Sequence, residues 1–75
     1  MRLNYAIEQR QRLIDFLLLH YGSIGPDQLV DYFGIGKATA TRDFSLYRQQ
    51  NPGNAVFDDS SKLWIRGVNF KRAYS

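Results

Sequence analysis

The apolar positions change their period along the chain, and each change marks an element. From about residue 4 to 21 they recur at helical spacing: Leu3, Ile7, Ile14, Leu17, Leu18 and Tyr21 make one stripe, the pattern of a helix with one face on a core. Asn4 stands at its N-cap position and Gly22 at its stop. A second stripe lies on nearly the opposite side: Tyr5, Gln9, Arg12, Phe16 and Leu19. It calls for another partner, either the C-terminal tail or a second copy of the chain. Ser23-Ile24-Gly25 is a short connector able to pair as one strand. Pro26 suits the first turn of a helix, and residues 27–33 give two turns with Leu29, Val30 and Phe33 inward. Gly34 can take the left-handed conformation of a sharp helix stop, Ile35 plugs the angle, and Gly36 caps a third helix over 37–50. There Ala40, Phe44 and Tyr47, at i, i+4 and i+7, turn inward.

After the turn Asn51-Pro52-Gly53-Asn54 the period drops to two. Ala55-Val56-Phe57 and Leu63-Trp64-Ile65 flank Asp58-Asp59-Ser60-Ser61-Lys62 and read as a β-hairpin over 55–66, with Phe57 and Trp64 as cross-strand neighbours. A lone hairpin is marginal in water, so this one must pack on the helices, anchored by Trp64. Residues 66–75 form a tail held by Phe70 and Tyr74. No repeat or second domain is visible. The expectation is one domain over 1–75, mainly α with a small β-hairpin: three helices plus a wing.

Composition narrows the chemistry. Seventy-five residues, 44% of them hydrophobic and 15% aromatic, supply one compact core. There is no cysteine and His20 is the single histidine, so disulfides, a thiolate or zinc site and a serine–histidine–aspartate triad are not expected. No enzyme activity, metal or cofactor is anticipated, and His20 is assigned to the helix end, where a cation is favoured. The longest apolar run, residues 16–19, is far too short for a bilayer, and no signal peptide is evident; a cytoplasmic, soluble protein is expected. The net charge of +3 is unevenly placed. Residues 1–36 carry Arg2, Arg10 and Arg12 against Glu8, Asp15, Asp27 and Asp31. Residues 37–75 carry Lys37, Arg42, Arg48, Lys62, Arg66, Lys71 and Arg72 against only Asp43, Asp58 and Asp59. A C-terminal half facing a polyanion would have this asymmetry.

The outward side of the third helix sharpens that expectation. Ala38, Thr41, Arg42, Ser45 and Gln49 lie on it, with Lys37 and Thr39 flanking the first turn. The small side chains permit close approach, and the rest carry groups able to hydrogen-bond base edges or phosphates. Arg42 is the expected base reader, engaging guanine with its planar fork. Thr41 and Ser45 add hydrogen bonds, and Ala38 or the Thr39 methyl can meet a thymine methyl. Lys37 and Thr39, near the helix N-terminus, clamp phosphate. Lys62 at the hairpin tip reaches the backbone or minor groove, supported by Arg48 and Arg66. Asp43 would repel phosphate, so an internal pairing with an arginine is expected for it.

Two family patterns are carried by these residues. Residues 35–44 resemble the DeoR-type recognition string, matching at Ala38, Thr39, Arg42 and Asp43 and conservatively at Ile35, Lys37 and Phe44. Residues 46–54, then Val56-Phe57-Asp58, Ser61 to Ile65 and Asn69-Phe70-Lys71, resemble more specifically the N-terminal DNA-binding domain of WYL-domain transcriptional regulators encoded beside phage-defence operons. Gly36 in place of the usual serine cap, and Arg72 in place of proline, depart from those patterns. The resemblance implies a winged helix-turn-helix that binds double-stranded DNA with helix 37–50 in the major groove. It does not carry over the relatives' ligand-sensing module. A repressor is expected, working as a homodimer through Tyr5, Phe16 and Leu19 or through the tail residues Phe70 and Tyr74. An excisionase-like DNA-bending protein and a protein-interaction winged helix are the rivals.

Overall fold

The computed structural model describes residues 4–74; Leu3 of the first stripe and Ser75 lie outside them. Three helices are followed by a hairpin: α1 (Tyr5–Tyr21), β1 (Ser23–Ile24), α2 (Pro26–Phe33), α3 (Lys37–Gln50), β2 (Ala55–Asp58) and β3 (Leu63–Arg66). The Asn4 side chain accepts from the Ile7 N–H at 2.9 Å, capping α1, and Gly22 ends it with φ +80°. Gly34, at φ +67°, closes α2 and donates its N–H to Val30. A side chain there would be strained in that left-handed conformation. Two residues later α3 starts at Gly36.

The connector does pair. The sheet is antiparallel in the order β1-β3-β2, with Ser23 opposite Ile65, Ile24 opposite Trp64, and Phe57 opposite Trp64 on the other side. The wing is therefore the outer part of a three-stranded sheet with β3 at its centre. The Trp64 ring stacks on Phe44 of α3, with centroids 5.5 Å apart and planes 6° from parallel, and meets Phe57 edge-on. Such an aromatic pair adds about 1 kcal/mol beyond the area it buries. It also fixes the wing to α3 directly.

The core gathers Ile14 and Leu18 of α1, Ile24, Leu29, Ala55 and the inward trio Ala40, Phe44 and Tyr47. Leu17, Val30, Phe33 and Ile35 pack at its margin. The α1 stripe differs from the apolar pattern. Tyr21 is 72% exposed, while Gln11 and Asp15 are buried alongside Ile14 and Leu18. The buried face includes two polar positions that tertiary partners engage, although Gln11 Oε1 finds no hydrogen-bond partner among the described residues. Gln11 Nε2 donates to the Asp43 carbonyl at 2.8 Å. Asp15 accepts from the Tyr47 hydroxyl and from the backbone N–H groups of Ala73 and Tyr74. Buried polar groups persist where such partners exist.

Asn54 completes this hub. Its Nδ2 donates to the Tyr47 hydroxyl and, at 2.7 Å, to the Lys71 carbonyl, while its Oδ1 accepts from the Lys71 N–H at 3.0 Å. The tail is thereby strapped across α1 and α3. A Cβ on Gly67 would sit 1.7 Å from the Gly53 carbonyl oxygen, so only glycine lets the tail start this close to the turn. Phe70 packs on the core, and the Arg12 guanidinium lies 4.8 Å from the Tyr74 ring centroid. These tail aromatics, expected as possible dimer contacts, are already engaged within the domain. Of the other set, Leu19 is half-buried, whereas Tyr5 and Phe16 remain exposed.

Candidate nucleic-acid interface

With about 3.6 residues per turn, burial of Ala40, Asp43, Phe44 and Tyr47 fixes which way every other side of α3 points. Ala38, Arg42, Ser45 and Gln49 lie opposite the core and are exposed. Lys37, Thr41, Ser45 and Arg48 lie toward the wing, where they line a concavity of about 530 Å³ together with Phe57, Lys62, Trp64 and the start of α2 at Pro26 and Asp27. Four expected α3 residues and the wing lysine thus meet around one cleft. Ala38 and Arg42 are outside it, on the adjoining exposed face.

Two expected residues are placed otherwise. Thr39 is half-buried, about a quarter of a turn from the middle of that exposed face on the flank away from the wing. Arg66 is turned to the opposite end of the sheet. Its Nη1 donates to the carbonyls of Leu19 at 2.8 Å and Leu18 at 3.4 Å, so it caps the C-terminus of α1, where a cation is favoured. That task had been expected of His20, which is exposed and lies against the Phe16 ring at 4.3 Å. Strand alternation put Arg66 on the face shared with Trp64; only the sheet's position against α1 decides what that face meets.

The electrostatics of the cleft follow from where the carboxylates are spent. Asp43 is buried and takes the Arg10 Nε on its Oδ2 at 2.6 Å, the internal pairing expected for it. Glu8 pairs with Arg12 at 2.8 Å. Asp15 holds the tail, and Asp58 accepts from the N–H and hydroxyl of Ser61. Among the described residues, Lys37, Arg42, Arg48 and Lys62 form no ion pair. One acid, Asp27, does line the cleft. It faces three cations there, so the local balance is positive.

The aromatic wall carries order into this surface. The Arg48 guanidinium carbon lies 5.8 Å from the Trp64 ring centroid, opposite in role to Phe44, which anchors the same ring to the core. A cation attracted to an indole face keeps its charge while the ring orients it. The Thr41 hydroxyl donates back to the Lys37 carbonyl at 3.1 Å, which leaves its oxygen lone pairs outward. Phe57, 40% exposed in the cleft, and the Pro26–Asp27 corner were not visible as site residues in the sequence. Their proximity to α3 is set by the crossing of α2 and by strand register, neither of which leaves a local mark. Among the described residues no group of histidine and acidic side chains could hold a metal ion. No helix of the described residues is long and apolar enough to cross a membrane.

Residues 6–75 match the family described as the BrxR transcriptional regulator winged helix-turn-helix domain. Among curated relatives, the DNA-binding transcriptional repressor CapW of Escherichia coli strain KTE188 is 34% identical over 67 residues, which are 89% of this chain and 22% of that protein. CapW of Stenotrophomonas maltophilia is 27% identical over 70 residues, 93% of this chain and 23% of the relative. The chain therefore spans less than a quarter of the length of the curated relatives it matches. The order of helices and strands, the glycine turn before α3 and the match over nearly all of the chain agree, and this chain belongs to the BrxR-type winged helix-turn-helix domain family.

Proposed function

We propose that this domain binds double-stranded DNA in a sequence-dependent way and serves a transcriptional repressor as its reading head. The observation that carries this reading is the single surface made by the outward face of α3 and the wing cleft. It presents Lys37, Arg42, Arg48 and Lys62 without ion-pair partners among the described residues, while most acids are engaged elsewhere. A major groove admits one helix of this width. Arg42, central on the exposed face, reads a base edge; Ala38, Thr41 and Ser45 make the close contacts beside it. Lys37 and Arg48 take phosphates, and Lys62 holds the backbone or minor groove at the wing. The likeness of residues 35–44 to the DeoR-type string, the likeness to WYL-domain regulators beside phage-defence operons, and the relatives' naming as DNA-binding transcriptional repressors all support the same reading. Two copies on a two-fold site, half-sites roughly 34 Å apart, would raise the affinity of a surface this small, with α1 residues Tyr5 and Phe16 available between them.

The test is a mobility shift on the DNA upstream of the chain's own gene, across a salt series. A phosphate-driven complex weakens steeply with salt. Arg42→Ala is expected to relax sequence preference by about 1–3 kcal/mol at one base pair, and Lys62→Ala to weaken all sequences alike. Failure to shift any duplex, specific or mixed in sequence, would sink the reading.

A further inference from the structure

The wing tip combines an unusual backbone with an unusual side chain. Lys62 has φ +62° and is the one non-glycine residue at positive φ among the described residues. Lysine gains nothing from this conformation, which glycine and asparagine adopt more readily. It is held there by a clasp. Asp58 Oδ2 accepts from the Ser61 N–H at 3.0 Å and from the Ser61 hydroxyl at 2.6 Å, and the Asp58 carbonyl accepts from the Lys62 N–H at 2.8 Å. Asp58 and Leu63 form the closing pair of the hairpin. The result is a turn whose last residue lines the cleft with Lys37 and Arg48 rather than lying along the outer strand. The same bonds hold the Asp58 carboxyl below its usual pKa, so the accepting form persists at neutral pH.

We infer that Asp58 is a positioning residue for DNA binding: its carboxylate fixes the 58–62 turn so that Lys62 is presented toward the recognition helix. This rests on the proposed DNA reading. It is counter-intuitive on charge alone, since a carboxylate this near a phosphate backbone repels it. That conflict makes the sign of the effect decisive. If Asp58 acts only through its charge, removing it tightens binding. If it acts by positioning, removing its acceptor loosens binding, whereas a neutral acceptor at the same place does not.

The experiment compares Asp58→Ala, Asp58→Asn and Lys62→Gly in the full chain, by titration of a labelled duplex from upstream of its own gene and of a mixed-sequence duplex. Backbone order parameters at residues 60–62, measured by nitrogen-15 relaxation without DNA, give a second readout. Asp58→Ala is expected to bind about fivefold more weakly, the loss of one typical hydrogen-bonded contact, with order parameters at 60–62 falling. Asp58→Asn keeps an acceptor oxygen and is expected to bind as well as the parent or better, with the turn ordered. Lys62→Gly relieves the backbone, keeps the turn, and lowers the salt slope by about one. Binding by Asp58→Ala equal to or tighter than the parent overturns the inference, as does an Asp58→Asn protein as weak as Asp58→Ala. A parent that binds neither duplex overturns the DNA reading instead; unchanged order parameters in Asp58→Ala then dispose of the clasp on their own.

Discussion

Asp15 and Asp58 use the same chemistry in two different solvents. Each carboxylate accepts from a hydroxyl and from backbone N–H groups: Asp15 from Tyr47, Ala73 and Tyr74, and Asp58 from Ser61. Asp15 is 2% exposed beneath the tail, whereas the Asp58 clasp sits at the exposed wing tip. Water cannot replace Asp15's bonds when they break, so they secure the fold. Water readily replaces those of Asp58, so breaking them changes the shape of a turn with little loss of stability. One side of α3 is thus committed to stability through Tyr47, and the neighbouring wing is left adjustable.

Five substitutions put this contrast at risk. The largest effect is expected from Asp15→Ala, which strands the Tyr47 hydroxyl and two backbone N–H groups in the interior; a loss of about 2–4 kcal/mol in urea unfolding is anticipated. Asp58→Ala in the same assay is expected to stay within about 0.5 kcal/mol of the parent. Equal losses at the two sites would end the distinction between a buried hub and an exposed clasp.

Tyr47 sharpens the contrast through pH. Burial first, and then the Asp15 carboxylate, push its hydroxyl well above the usual tyrosine value. The folded state therefore holds this proton more tightly than the unfolded chain. The stability it contributes is complete below about pH 10, the ordinary tyrosine pKa, and is lost as pH rises above that value. Denaturant midpoints from pH 8 upward should fall beyond that point in the parent. Tyr47→Phe, at a neutral-pH cost of about 1–2 kcal/mol, should show a shallower alkaline decline. An identical decline in both proteins would assign the loss to other groups.

Smaller effects test the two ends of the sheet. Arg66→Ala removes the cap from α1 and is expected to cost about 0.5–1 kcal/mol in thermal unfolding, with less effect on duplex affinity than Lys62→Ala. A larger affinity loss at Arg66 would return it to the binding surface. Gly36→Ser is the mildest change. Nothing lies within 4 Å of a Cβ built there and φ is −76°, so a serine can cap α3 and add a few tenths of a kcal/mol. Destabilisation would mean that the turn needs glycine for a reason its geometry does not show.

Much of this architecture is legible in single residues. Asn4, Gly22, Pro26 and Gly34 each do locally what their chemistry favours, because caps and stops depend on one or two neighbouring peptide groups. The inward trio of α3 is equally plain, since helical spacing alone puts Ala40, Phe44 and Tyr47 together. Tyr21 shows the limit of that logic. It continues the apolar stripe by spacing but lies beyond the point where α1 leaves the core, while Gln11 and Asp15 occupy buried positions that polarity would assign to the surface.

The sequence by itself determined the order of elements, the core side of α3 and the cationic bias of the C-terminal half, since period, punctuation and charge are properties of neighbours along the chain. Tertiary structure alone decided that Arg66 caps α1, that Thr39 is turned to the far flank, that the tail is strapped down by Asp15 and Asn54, and that Pro26, Asp27 and Phe57 share a cleft with α3. Each of those outcomes depends on groups brought together from distant parts of the chain. Hydrogen-bond satisfaction and burial then assign their roles, and no local pattern encodes which partners will arrive.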